Sequence, residues 1–259
     1  MDDALVVVQI EPPVATVTLN HPPANIITPA MIEQLAAAVD RLRADGSVKA
    51  VVITGAGGSF AAGADIKVIA SIRSAAEGEA MARGGQAVFD RIEQMPVPAI
   101  AAITGFCLGG GMELALACHL RVAGDRAKMG LPEIHLGIIP GFGGTQRLTR
   151  LVGRSRAMAL ILSGDVIGAE EAKTIGLVNR VVPEGEVLRQ ALGLAKKIAA
   201  YGRRSIEAAM QAMVEGEHLP LPDGLALEAR LFGGLCETAD MKEGLAAFIE
   251  KRQPKFQDR

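Results

Sequence analysis

Apolar positions in the first half of the chain fall into short runs of two kinds. Val6-Val-Val-Gln-Ile10 and Ala15-Thr-Val-Thr-Leu19 are rich in β-branched residues and joined through Glu11-Pro-Pro, which predicts a hairpin pair. Residues 29–44 place Ile32, Leu35, Val39 and Leu42 at helical spacing, and Asp45-Gly46 ends that pattern. Ala50-Val-Val-Ile-Thr54, Ala99-Ile-Ala-Ala-Ile103 and Leu120-Arg-Val-Ala123 read as strands. Ala50–Ile53 and the whole of the second run are apolar, as expected where both faces of a sheet are covered. A long helical stretch is expected over residues 70–94, until Met95-Pro-Val-Pro98 breaks it.

Strands separated by helices predict parallel βαβ units, with glycine-rich turns directly after strands, where ligands of open α/β sheets bind. Past residue 150 the pattern turns helical. Helices are expected at 154–163, 169–175, 186–200, 205–215, 225–235 and 241–251, with strand character only at 177–182. No internal repeat, low-complexity tract or long linker interrupts the chain.

Composition narrows the function classes. The chain has 259 residues, enough for a full core, with 49% hydrophobic and 22% charged residues, as in ordinary globular proteins. A formal net charge of −2, a single tyrosine and no tryptophan supply neither the cations nor the stacking surfaces of a nucleic-acid binder. Cys107, Cys118 and Cys236 are widely spaced and read as reduced core thiols. Met-Asp-Asp-Ala lacks a basic secretory n-region, so a cytoplasmic location is expected. Residues 97–118 are apolar enough to span a bilayer, but Pro98, Gly105, Gly109, Gly110, Gly111 and Glu113 favour a strand, a glycine turn and a buried helix. His21, His119, His135 and His218 form no ligand cluster, and no metal site is expected.

Three segments carry candidate chemistry. In Ser59-Phe-Ala-Ala-Gly-Ala-Asp65-Ile-Lys67, small residues let backbone N–H groups approach a ligand, or simply form a strand-to-helix turn with Asp65 as N-cap. In Gly105-Phe-Cys-Leu-Gly-Gly-Gly-Met-Glu113, glycines open N–H groups at a helix N-terminus, with Glu113 in the first turn. In Gly130-Leu-Pro-Glu133, a second carboxyl enters apolar surroundings, although Glu at a turn is most often a surface residue. Two carboxylates in such settings are costly to keep charged, which points to acid–base work. Gly141-Phe-Gly-Gly144 lacks the spacing of a dinucleotide loop, and no nucleophile elbow is present.

Together these segments closely resemble the enoyl-CoA hydratase/isomerase (crotonase) superfamily. The likeness covers essentially the whole chain. It rests on Phe60–Lys67, Gly105–Glu113, Pro132-Glu-Ile-His-Leu-Gly-Ile-Ile-Pro-Gly-Phe-Gly-Gly-Thr-Gln-Arg-Leu148, Ser163-Gly-Asp165, Glu171–Val178 and Asp240–Phe248. The resemblance implies an α/β fold, a crotonase-like spiral of ββα units over residues 1–195, followed by a helical trimerisation region over 196–259. It implies a homotrimer or a dimer of trimers, an acyl-CoA thioester as substrate, and no separate cofactor, coenzyme A being part of the substrate. By position, the N–H groups of Ala64 and Gly110 would form an oxyanion hole, with Glu113 and Glu133 as the hydratase acid–base pair. Ala62, Asp65, Ile66, Lys67, Gly141, Phe248 and Lys251 would line the substrate, the lysines near phosphates and Phe248 near adenine.

Some positions depart from the commonest family pattern. His119 follows Cys118 where many relatives carry Asp, and Met129 replaces an aromatic residue. Pro22-Pro-Ala-Asn-Ile-Ile-Thr28 resembles the hydratase part of multifunctional fatty-acid oxidation proteins. Two other readings remain open: an isomerase moving a double bond between Δ3 and Δ2, which needs one glutamate, and a non-catalytic relative that binds RNA or protein.

Overall fold

The computed structural model describes residues 4–259. Its strands are β1 (Val6–Glu11), β2 (Val14–Leu19), β3 (Ala50–Gly55), β4 (Ala99–Ile103), β5 (Phe106–Leu108), β6 (Leu120–Gly124), β7 (Lys128–Gly130), β8 (Val166–Gly168) and β9 (Arg180–Val182). Its helices are α1 (Pro29–Ala44), α2 (Ile66–Ala70), α3 (Ala75–Glu93), α4 (Gly110–Ala117), α5 (Gly144–Val152), α6 (Arg154–Ser163), α7 (Ala169–Thr174), α8 (Val187–Ala199), α9 (Arg203–Gly216), α10 (Leu221–Leu235) and α11 (Ala239–Ile249).

One sheet has six strands in the order β1-β2-β3-β4-β6-β9, parallel except for the antiparallel β1–β2 hairpin. A smaller sheet holds β5, β7 and β8. The chain repeats one course: a strand in the large sheet, an extended segment in a second ladder, then a helix. β4, β5 and α4 follow that course, as do β6, β7 and α5. Earlier turns contribute only bridges to the second ladder, Ile27 beside Ala64 and Ala61 beside Cys107. This is the spiral of ββα units.

The alternation of strand side chains divides the core. Val51, Ile53, Ala99, Ala101 and Ile103 face the cluster that also holds Met31 and Leu35 of α1, Phe89 and Ile92 of α3, and Leu114 of α4. Val52, Ala50, Ile100, Ala102 and Val122 face the opposite way, onto Val187, Ala191, Ala195 and Ala199 of α8. Both faces being covered is why Ala50–Ile53 and Ala99–Ile103 are apolar without interruption. The expected division at residues 195/196 falls inside α8, whose buried residues all face the sheet.

Helix α1 has the expected bounds, with Thr28 accepting the Met31 N–H at its start. The stretch expected to be one helix over 70–94 is two helices instead. Asp65 caps α2 by accepting from Lys67 N–H, and Ser74 caps α3 by accepting from Glu77 N–H. The Glu77 carboxylate returns to Arg73 N–H at 2.8 Å, so side chains compete for the backbone between the helices and break the run. The strand expected at 177–182 narrows to Arg180–Val182, because Gly176 ends the preceding turn with positive φ and Leu177 and Val178 bond back to Ala172. Helix α5 and the three-residue strands β5, β7 and β8 were not expected.

Candidate active site

The N-terminus of α4 lies between two glycine-rich turns. Gly109 adopts φ +49°, a left-handed conformation open to glycine, and turns the chain from β5 into α4. Gly110 then begins the helix, so its N–H has no partner within the helix. Ala64 supplies a second N–H. In the bridge beside Ile27, Ile27 N–H donates to Gly63 carbonyl at 2.9 Å and Asp65 N–H donates to Ile27 carbonyl at 3.2 Å. Successive N–H groups of extended backbone point to opposite sides, so Ala64 N–H faces away from Ile27. A Cβ placed on Gly110 would stand 3.4 Å from Ala64 N. Among the described residues, neither of these N–H groups donates to a protein acceptor.

Glu113 lies one turn into α4, a helix whose eight residues are all buried. Its Oε1 accepts the N–H of Phe142 at 2.7 Å and that of Gly144 at 2.8 Å. Gly144 is the first residue of α5, so Glu113 meets the positive end of a second helix. Burial raises its pKa, the two N–H bonds and Arg147 oppose the rise, and the charge of Glu133 adds to it; the outcome is about 7. That is far above the ordinary carboxyl range and suited to proton exchange near neutrality.

Glu133 is the second residue of the 3-10 turn Pro132–Leu136 and reaches back to Gly109. A Cβ on Gly109 would lie 3.1 Å from Glu133 Oε1, so glycine there gives the carboxyl its room. The Glu133 Oε2 atom is buried and accepts no hydrogen bond. Burial raises the pKa of this group also. Glu133 is therefore not the surface turn residue that its type suggests. Two carboxyls, both biased toward holding protons, and two unpartnered N–H groups meet around Gly109 and Gly110.

The family model for enoyl-CoA hydratase/isomerase matches residues 9–259. The chain belongs to the enoyl-CoA hydratase/isomerase family. It is similar to a probable enoyl-CoA hydratase of Bacillus subtilis, 43% identical over 244 residues that cover 94% of this chain and 95% of the relative. A crotonyl-CoA hydratase of Syntrophomonas wolfei is 42% identical over 97% of both chains. The crystal structure of an enoyl-CoA hydratase from Bacillus anthracis superposes with a TM-score of 0.94 at 39% identity, covering 98% of this chain and 100% of that one.

Of the family residues expected at the substrate, Ala64 and Gly110 come together beside Glu133, and Gly141 begins the loop whose next residue holds Glu113. Gly141 carbonyl also accepts from Gln86 Nε2 at 2.8 Å, tying that loop to α3. Ala62 N–H is used by Ala24 carbonyl at 2.9 Å. Asp65 acts as the cap of α2, while Ile66 and Lys67 lie exposed in its first turn. Phe248 on α11 is 84% exposed, and Lys251 follows that helix with positive φ. Neither makes a hydrogen bond or ion pair through its side chain with these residues.

Phe142, Gly144 and Arg147 were not singled out from the sequence. The available signal was the amphipathic run after Gly143, which makes the glycines a helix start rather than a failed dinucleotide loop. His119 is settled by its partners: Nδ1 accepts Ala99 N–H and Nε2 donates to Glu93 carbonyl, each at 2.9 Å, and burial lowers its pKa. It is a neutral structural bridge. The thiols of Cys107 and Cys118 are raised by burial, so neither is a ready nucleophile. Among the described residues, no helix is long and apolar enough to cross a membrane.

Proposed function

We propose that the protein is an enoyl-CoA hydratase, a hydro-lyase that adds water reversibly across the double bond of a trans-2-enoyl-CoA to give a 3-hydroxyacyl-CoA. The observation that carries this reading is the meeting of two raised carboxyls with two unpartnered N–H groups at the start of α4. The family match and the hydratase relatives support the same reaction.

The thioester oxygen accepts the N–H groups of Ala64 and Gly110, which hold the negative charge that develops there. The α4 N-terminus adds positive potential. Glu113 takes a proton from water as its oxygen bonds to C3. The electron pair of the double bond moves toward C2 and the thioester oxygen, and C2 takes a proton from Glu133. Both groups act on one face, giving syn addition. Since each carboxyl influences the other, they titrate as a pair.

The test is loss of the enoyl-thioester ultraviolet absorbance of crotonyl-CoA, with Glu113→Gln and Glu133→Gln alongside. Rapid loss by the unaltered protein, and loss slowed by roughly 10²–10⁴-fold in either variant, is expected. Full hydration by Glu113→Gln would sink the assignment, and dependence on a single glutamate would favour the isomerase. Acyl-CoA binding without any turnover would favour a non-catalytic relative.

A further inference from the structure

Of the two residues whose N–H groups hold Glu113, Phe142 is itself held by one side chain. Phe142 donates its N–H to Glu113, and its carbonyl accepts from Arg147 Nη1 at 3.0 Å. The same guanidinium donates through Nε to Glu93 Oε2 at 3.0 Å, and its Nη2 pairs with Glu93 at 2.9 Å and with Asp90. Phe142 is thus gripped through both its N–H and its carbonyl. Asp90 and Glu93 belong to α3, so the guanidinium locks the loop and the start of α5 onto that helix. Only 10% of the Arg147 side chain is exposed. Gly143 shows how closely the loop wraps it. A Cβ there would fall 2.2 Å from Nη1, and the residue has φ +113°. A planar fork of five donors serves a carbonyl and two carboxylates together, which a lysine ammonium does not reproduce.

We propose that Arg147 is a positioning residue for the hydration step, clamping the 142–144 loop so that its N–H groups aim the Glu113 carboxylate. The proposal rests on Glu113 acting as the acid–base group. Its role is to fix the direction of the Glu113 carboxyl, since Oε1 is pinned by Phe142 and Gly144 while Oε2 accepts from no described residue.

The clamp also has a charge. Facing Glu113 are Glu133 from the 3-10 turn and Arg147 from α5, with Asp90 and Glu93 of α3 behind the guanidinium. Cys107 of β5 is held neutral by burial, and Arg121 lies at the far end of α4, bonded to the Ala115 and Cys118 carbonyls. Of the two charges acting on Glu113, Glu133 disfavours its ionised form and Arg147 favours it. Removing the guanidinium therefore raises the Glu113 pKa, and the unneutralised Asp90 and Glu93 push the same way.

The experiment measures kcat, KM and the pH profile of crotonyl-CoA hydration for the unaltered protein, Arg147→Met and Arg147→Lys. In parallel, the 15N–1H shifts of Phe142 and Gly144 are followed against pH without substrate, with Glu113→Gln identifying the titration they report. The expected result for Arg147→Met is a loss of kcat on the order of 10²-fold with KM little changed, as for a misplaced catalytic group. Its acid limb and its amide titration both move to higher pH. Arg147→Lys keeps the charge and returns the limb toward its original place, but not kcat. A folded Arg147→Met with unaltered kcat and acid limb overturns the proposal, as does a loss of kcat with the amide titration unmoved. If Arg147→Met does not fold, Arg147→Lys decides, and full kcat in that variant overturns the clamp. Absence of hydration by the unaltered protein overturns the reaction instead, while the amide titration still judges the clamp.

Discussion

Glu113 reaches from the first turn of α4 to accept, at 2.8 Å, the N–H of Gly144, the first residue of α5. The carboxyl is thereby placed between two helix N-termini, which favour its charge, and an apolar core, which opposes it. Burial wins, and the pKa rises to about 7. A Cβ on Gly144 would sit 3.1 Å from Glu113 Cγ and 2.8 Å from Pro140 Cβ, so the close approach depends on glycine.

Replacing either carboxyl by its amide keeps the shape and removes the proton exchange. Glu113→Gln and Glu133→Gln are each expected to lower kcat for crotonyl-CoA hydration by roughly 10²–10⁴-fold, the usual contribution of a general acid or base. Acyl-CoA binding, measured by calorimetry, should survive in both, because the Ala64 and Gly110 N–H groups are untouched.

The raised pKa of Glu113 sets a pH dependence of activity. With Glu113 taking the proton from water, kcat/KM should fall as pH drops below about 7, where that carboxyl is protonated. The Glu113→Gln variant should lose this limb from its residual rate. A flat profile from pH 5 to 8 would contradict the assignment.

Stability should follow the opposite course. A carboxyl whose folded pKa lies above its unfolded value favours the fold while protonated, and that contribution is lost as pH rises from 4.5 to about 7. Each tenfold change in proton affinity is worth about 1.4 kcal/mol, so the whole difference is about 3 kcal/mol. Urea unfolding at pH 5 and pH 8 should show it, and Glu113→Gln should abolish that part of the slope.

Gly85 on α3 is a second place where a missing Cβ is essential. A methyl group there would meet Phe142 Cδ1 at 2.4 Å, and the Phe142 ring packs edge-on against Phe89 with centroids 5.8 Å apart. Gly85→Ala is expected to cost about 1–3 kcal/mol through overpacking. It should also lower kcat, since a displaced Phe142 carries the N–H that holds Glu113. Thermal unfolding and the crotonyl-CoA assay together check both effects.

The C-terminal tail is fastened by a buried acid. Asp240, 4% exposed, accepts the N–H groups of Gln257 at 2.6 Å and Asp258 at 2.8 Å, and Asp258 in turn pairs with Lys49 at 2.7 Å. Asp240→Ala leaves those groups unsatisfied and should destabilise the fold by about 1–3 kcal/mol. Loss of proteolytic protection at residues 253–259 would report the released tail.

The sequence by itself determined the first five strands of the large sheet, helix α1, and Glu113 and Glu133 as candidate acid–base groups. These follow from local rules: short runs rich in apolar and β-branched residues, Ile32 to Leu42 at helical spacing, and carboxyls placed where burial makes them costly. The motif likeness added the family, which the fold and the match over residues 9–259 bear out. The short strands β5, β7 and β8 were illegible because three residues carry no periodicity, and their pairing is with distant segments. The break between α2 and α3 depended on Ser74 and Glu77 capping, which outweighed a helical composition. Only the tertiary structure decided what holds Glu113. Phe142, Gly144 and Arg147 reach it through contacts spanning about thirty residues and more, and such contacts leave no periodic trace along the chain. Their signature is glycine where a Cβ would collide, at Gly85, Gly143 and Gly144. A glycine's purpose becomes visible only when the neighbour it admits is in place.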